Sequence, residues 1–159
     1  MISRADTQRG VLDAVDRAVN TEPTAEGVLR RAVELLHDRF DHYSWVGVYL
    51  VEGDELVLGP WKGPQATEHV RIPVGQGICG AAAASGVTEV VDDVNADDRY
   101  LACFASTRSE IVVPIFSNAR PSGVIGEIDI DSDRPSAFDA EDRAFLEHVA
   151  RMVSSRCNG

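Results

Sequence analysis

Ser109-Glu110-Ile111-Val112-Val113-Pro114-Ile115-Phe116 and, beyond Ser117-Asn118-Ala119-Arg120-Pro121-Ser122, Gly123-Val124-Ile125-Gly126-Glu127-Ile128-Asp129-Ile130-Asp131 form the stretch on which the fold turns. Side chains alternate across a strand. Ile111, Val113 and Ile115 therefore share one face of the first segment, Ile128 and Ile130 share one face of the second, and the two aliphatic sets meet under a helical layer. The opposite face carries Glu110, Val112 and Pro114, then Glu127, Asp129 and Asp131. Antiparallel pairing about a turn centred near residue 120 brings Glu110 close to Asp129, within a one-residue bulge. Like charges opposed across strands repel, so the pattern has two readings. One is the solvated acidic face of a half-exposed sheet; the other is a pocket that accepts an ammonium group or donates a proton.

Working outward, residues 6–19 and 24–40 set apolar side chains at helical spacing, with Val11, Leu12, Val15 and Val19 on one face and Val28, Leu29, Val33, Leu35, Leu36 and Phe40 on the next. Thr24 after Pro23 is an acceptable N-cap without a capping box. Tyr43–Leu50 and Glu55–Leu58 turn β-branched and aromatic about Glu52-Gly53-Asp54, a hairpin signal. A Gly/Pro-rich stretch, Gly59 to Pro64, leads to a short strand, Val70–Val74, and then to Gly75-Gln76-Gly77-Ile78-Cys79-Gly80, which opens a short helix over Ala81–Ala84. Residues 91–109 read as a long irregular connection, and Asp139–Arg156 as an amphipathic helix.

The chain of 159 residues is 44% hydrophobic, which fits one domain over residues 1–159, with a core over about 24–156 and the 6–19 helix added to it. Its 15 basic and 26 acidic residues give a net charge of −11, with Lys62 the one lysine, so nucleic acid and anionic membranes are excluded as partners. No apolar run is long enough to span a bilayer and the opening residues have no signal-peptide core, so a cytoplasmic protein is expected. Three cysteines without framework spacing point to a reduced compartment.

Cys79 and Cys103 are the two thiols of interest; Cys157 lies near a terminus where chains fray. A reactive thiol needs a lowered pKa. Cys79, after Gly75 and Gly77 and at the start of an Ala-rich helix, has helix N–H groups to favour a thiolate, or is a small packing residue. Cys103, on a loop with Arg99 and Arg108 near in sequence, is either reactive or buried by Leu101 and Phe104. His37, His42, His69 and His148 lack the close paired spacing of zinc ligands and read as surface or helix-face histidines, so no metal site is expected. Gly75-Gln76-Gly77 completes neither a phosphate loop nor a dinucleotide fingerprint.

Tyr43-Ser44-Trp45-Val46-Gly47-Val48-Tyr49-Leu50, Glu55-Leu56-Val57-Leu58-Gly59-Pro60, Arg71-Ile72-Pro73, Gly77-Ile78-Cys79-Gly80, Ala102-Cys103, Ser109-Glu110-Ile111-Val112-Val113-Pro114 and Asp129-Ile130-Asp131-Ser132, in that order, resemble the free methionine-R-sulfoxide reductases, which are stand-alone GAF domains. The resemblance implies an α+β fold, an antiparallel sheet of about six strands with helices on one face and a loop-roofed ligand pocket on the other. It implies reduction of free L-methionine-R-sulfoxide without a bound cofactor, with Cys103 at the nucleophile's position and Cys79 at that of an accessory cysteine. Glu110, Asp129 and Asp131 match the pocket carboxylates, and Trp45 and Tyr49 the aromatics at the methyl and thioether end. A sulfenic acid on Cys103 would condense with a second thiol, Cys79, and thioredoxin or another dithiol would reopen the disulfide. A homodimer is also implied. Unlike the commonest members, this chain has no cysteine between Gly63 and Ile78, carries His69 ahead of the Cys79 motif and Tyr100 ahead of Cys103, and has a longer hairpin after Phe116. The alternative is a GAF module that binds a small molecule or senses redox state without turnover.

Overall fold

The computed structural model describes residues 1–102, 104–118 and 123–157. In chain order the elements are α1 (Arg4–Thr21), α2 (Ala25–Arg39), β1 (Trp45–Glu52), β2 (Glu55–Lys62), β3 (Arg71–Pro73), α3 (Gly77–Ser85), β4 (Glu89–Val91), β5 (Ser109–Phe116), β6 (Val124–Ser132) and α4 (Ala140–Cys157). All the strand pairs are antiparallel, in one sheet ordered β3-β2-β1-β6-β5-β4. The three-residue strands fall at the two edges, which leaves little unpaired backbone to recruit another chain.

The aliphatic face of β5 and β6 packs as the alternation requires: Ile111, Val113, Ile115, Ile128 and Ile130 join Val46 and Val48 of β1 and residues of α1, α2 and α4 in one core. The first helix packs into that core, with Val11 and Val15 fully buried. It is also longer than residues 6–19, because Ser3 and Asp6 cap it reciprocally one turn earlier. Thr24 caps α2 as expected, its side chain accepting from Gly27 N at 3.0 Å.

Two strands differ from the expectation. The second strand does not stop at Leu58 but runs to Lys62, because a register shift between Gly47 and Tyr49 makes a bulge that absorbs Gly59 and Pro60. The connection after Ser85 contains the edge strand Glu89–Val91, too short to declare an alternation, and a single 3-10 turn at Val94–Ala96. The far face of the sheet is covered by α3 as well as by loops. Ile78, Cys79, Ala82 and Ala83 pack there on Tyr49, Leu56, Ile72 and Val112, a second and smaller core. No helix among the described residues is long and apolar enough to cross a membrane.

A buried polar knot closes the helical side. Asp142 is fully buried and accepts from Tyr43 Oη (2.7 Å), His42 Nε2 (3.0 Å) and the Asp139 backbone (3.1 Å), with Arg4 Nη1 at 3.5 Å. His42 is thus a structural partner rather than a surface histidine. Cys157, the last residue of α4, is half-buried against the main core rather than frayed, and burial raises its thiol pKa. Burial alone would raise the Asp142 carboxyl, but the hydrogen bonds from His42, Tyr43 and Asp139 outweigh it and hold it at about 2. Its contribution is therefore present above the ordinary carboxylate range and is lost as pH falls through about 2. Asp142→Ala is expected to cost about 3 kcal/mol at neutral pH, by leaving Tyr43 Oη unpaired in the interior. The difference from wild type should shrink in strong acid, as urea unfolding across pH will show.

Candidate functional site

Strand register builds the site as a grid. On β1, Trp45, Gly47 and Tyr49 lie directly opposite Asp131, Asp129 and Glu127 of β6; on β5, Glu110, Val112 and Pro114 lie opposite the same three. Residues directly opposed share a face. Nine positions thus meet on the side away from the main helical layer. The pairing puts Glu110 opposite Asp131, with Asp129 as its diagonal neighbour, two residues from the pairing expected. The register shifts between Ile115 and Phe116, so Phe116 pairs with Val124 while Ile115 pairs with Gly126.

α3 delivers the thiol. Gly77, at φ 69, enters a backbone region that favours glycine, and a Cβ there would stand 2.8 Å from Leu101 Cδ1. This tight start aims Cys79 at β5 and β6 and lets Leu101 close over it. One ligand atom each of Cys79, Glu110 and Asp129 lie within 4.8 Å of one another, and all three residues are buried. Together with Tyr49, His69, Ile72, Ile78 and Leu101 they line a cavity of about 20 Å³. His69, read from the sequence as a surface histidine, is part of this wall. Tyr49 Oη donates to the His69 carbonyl (2.7 Å), and His69 Nε2 donates to the Ala102 carbonyl (3.2 Å), which ties the roof to β1.

Trp45 forms the other end. Its indole stacks on Trp61 (centroids 6.1 Å apart, planes at 13°) and meets Phe104 at 6.0 Å. A Cβ on Gly47 or on Gly63 would each fall 2.3 Å from the indole ring, so both positions leave room for Trp45 to lie flat across the sheet beside Asp129 and Asp131. Its Nε1 is buried without a hydrogen-bond partner among the described residues. Trp61, Gly47, Gly63 and Phe104 were not singled out from the sequence; the small residues flanking an aromatic in a strand pattern were the available signal. Cys103 lies outside the described residues. Its neighbours Ala102 and Phe104 both touch the site.

The acidic face is not solvated. Glu110, Glu127, Asp129 and Asp131 are each 5% exposed or less, and no ion pair among the described residues reaches any of them. Burial raises all four carboxyls. For Glu110 the charges of Asp129 and Asp131 add to burial, and hydrogen bonding with the same two favours Glu110 as the protonated member. Glu127, absent from the sequence-predicted site, is fully buried, and among the described residues neither oxygen has a hydrogen bond of good geometry, the Cys79 thiol being a neighbour that favours its charged form. Burial, then the charges of Asp129, Glu127, Glu110 and Asp131, push the Cys79 thiol well above its ordinary range. The α3 N-terminus therefore does not make Cys79 a resting thiolate; burial, with the acids beside it, outweighs the helix. The site can hold a neutral thiol beside neutral carboxylic acids and turn them toward a cationic or basic guest.

A separate groove of about 560 Å³ between β5 and α4, lined in part by Val87, Phe116, Arg143, Arg151 and Ser154, contains none of these groups.

Residues 18–155 match the family profile described as GAF domain. A free methionine-R-sulfoxide reductase of Escherichia coli (strain K12) is 42% identical over 119 residues, 75% of this chain and 69% of its own length. The X-ray structure of free methionine-R-sulfoxide reductase from Neisseria meningitidis, in complex with its substrate, aligns with TM-score 0.87 at 40% identity over 97% of this chain and 90% of that one. The type II free methionine-R-sulfoxide reductase from Thermoplasma acidophilum aligns with TM-score 0.78 at 38% identity over 84% and 92% of the two chains.

A carboxyl whose folded pKa is raised favours folding below its unfolded value and loses that contribution as pH rises through the folded one. Glu127→Gln is therefore expected to stabilise the free protein at mildly alkaline pH, by on the order of 1 kcal/mol or more. The gain should vanish in mild acid. Thermal unfolding over a pH series checks both limbs.

Proposed function

The chain belongs to the GAF family and, within it, to the free methionine-R-sulfoxide reductases, and from that premise we propose that it reduces free L-methionine-R-sulfoxide by thiol chemistry in the Cys79–Glu110–Asp129 cavity. The observation that carries this reading is the shared face that gathers one thiol and three buried carboxyls between Trp45 and Tyr49, in a chain whose relative was solved with its substrate.

Cys103 attacks the sulfoxide sulfur while a carboxylic acid of the cluster protonates the sulfoxide oxygen; the hydroxyl so formed passes to the Cys103 sulfur as methionine leaves, which makes Cys103 a sulfenic acid. Glu110 is the group best placed to donate, because Asp129 and Asp131 favour its protonated form. The carboxyls that ionise supply counter-charge to the substrate ammonium, and the Trp45 indole packs on the methyl and thioether end. The Cys79 thiol then condenses with the sulfenic acid, forming the disulfide and releasing water, and a dithiol such as thioredoxin restores both thiols. No bound cofactor enters these steps. Such cycling suits a reducing, cytoplasmic setting. The neutral state of Cys79 has a use here: a thiol that is not a resting thiolate does not compete with Cys103 for the substrate. A cavity of about 20 Å³ holds little more than one water, so the site must enlarge for the substrate to bind.

A coupled assay with thioredoxin, its reductase and NADPH, run on each sulfoxide isomer, tests the reading. Turnover of the free R isomer that disappears in Cys103→Ser is expected; equal consumption in that variant would overturn it. Cys79→Ser should keep turnover supported by dithiothreitol and lose turnover supported by thioredoxin. Glu110→Gln should lower kcat about 100-fold or more, the scale of a lost general acid. Gly63→Ala, which displaces the Trp45 indole, is expected to raise KM about tenfold, as misplacement within a site does.

A further inference from the structure

Cys79, Glu110 and Asp129 come from three separate elements, α3, β5 and β6, yet their sulfur and carboxylate oxygens all lie within 4.8 Å of one another. Tetrahedral zinc–sulfur and zinc–oxygen bonds of about 2.3 and 2.0–2.2 Å set donor atoms roughly 3.5 Å apart, so the three side chains would have to draw together by about 1 Å around an ion. A second observation points to a guest. Asp129, which lines the cavity, is buried with its Oδ1 lacking any hydrogen-bond partner among the described residues, and no ion pair among them neutralises it. Buried polar atoms are almost always satisfied, so an open carboxylate oxygen in a cavity that also holds a thiol and a second carboxyl is a donor set without its acceptor.

We propose that this cavity is also a binding site for a single divalent cation of the zinc class, ligated by Cys79 Sγ, Glu110 and Asp129. The donor set selects the ion: a thiolate excludes the hard cations magnesium and calcium, whereas one sulfur with two carboxylates suits zinc, cadmium or cobalt. Three protein ligands leave a fourth tetrahedral position open, as in sites that exchange a bound group. The cavity of about 20 Å³ admits an ion of this size but not an extended hydration shell. On binding, the Cys79 thiol proton and the proton retained by Glu110 pass to solvent as the metal bonds form; no electron is transferred. One thiolate and two carboxylates around a dication carry a net charge of −1, so the ion offsets most of the repulsion among its ligands. The inference shares its cavity with the reductase reading, and on that reading the cation excludes the sulfoxide and inhibits the enzyme reversibly.

Cobalt(II) titration of the reduced full-length chain, followed by absorption, tests the proposal without any turnover. A near-ultraviolet sulfur-to-cobalt charge-transfer band at one ion per chain is expected, displaced by zinc. It should persist in Cys103→Ser and Cys157→Ser and be absent from Cys79→Ser. Glu110→Gln and Asp129→Asn, near-isosteric and each checked for folding by near-ultraviolet circular dichroism, should weaken cobalt binding at least about 100-fold, since groups that merely support a ligand already cost 10- to 100-fold. No band, a band lost in Cys103→Ser or Cys157→Ser instead, or unchanged affinity in both carboxyl variants would each overturn the site. Because the readout is the metal complex itself, a chain that binds cobalt but reduces no sulfoxide would sink the reductase reading alone. A reductase that binds no cobalt would sink this one alone.

Discussion

A sheet buried on both faces is the constraint from which the rest follows. The β5 and β6 strands alternate aliphatic and acidic residues as a half-exposed sheet would, but α3 and the segment through Leu101 cover the acidic side as well. Four carboxyls are then in a place where ionising all of them is prohibitively costly, so protons must be retained there. Everything distinctive about the site descends from this. Glu110 is poised as an acid, Cys79 is kept from ionising, and the cavity has an appetite for positive charge that nothing within the described chain meets.

Geometry and chemistry converge through the strand register. Because β1 and β5 both pair with β6, the three acids of β6 are flanked by aromatics on one side and by Glu110 on the other. Gly47 stands opposite Asp129, and the absent side chain is the space the Trp45 indole crosses. A guest with a cationic end, a polar sulfoxide and an apolar methyl thus finds acid, thiol and aromatic surfaces in adjoining positions on one rigid sheet. The same acids and thiol make the site suitable for a thiolate-seeking cation, and the two guests would exclude one another.

Much of this was legible in the sequence. The alternation of Glu110 with Ile111, and of Asp129 and Asp131 with Ile128 and Ile130, places the acids on one face and the core on the other without error. What alternation cannot show is whether the acidic face meets water. Glu127 was therefore passed over, although its complete burial is the clearest sign that this face is dry. Exact pairing was beyond reach because it depends on the irregularity at Ile115/Phe116, and β2 was cut short because Gly59 and Pro60 signal a break unless a bulge absorbs them. His42 and His69 were read as surface residues since their partners, Asp142 and the Ala102 carbonyl, are 100 and 33 positions away. Local sequence carries no trace of contacts at such separation. Cys79 looked activatable from its place at a helix start, and its burial, reinforced by the acids of the sheet, reverses that expectation.

The central claim is that the acids of β5 and β6 hold protons where ordinary carboxyls have lost them. Carboxyl-carbon NMR of the free protein, labelled at aspartate and glutamate and titrated through neutral pH, reads this at each residue. Protonated signals for Glu110 and Glu127 that persist at neutral pH, and that disappear in Glu110→Gln and Glu127→Gln respectively, are expected. Titration of all four cluster carboxyls in the ordinary range of about 4 would contradict the account.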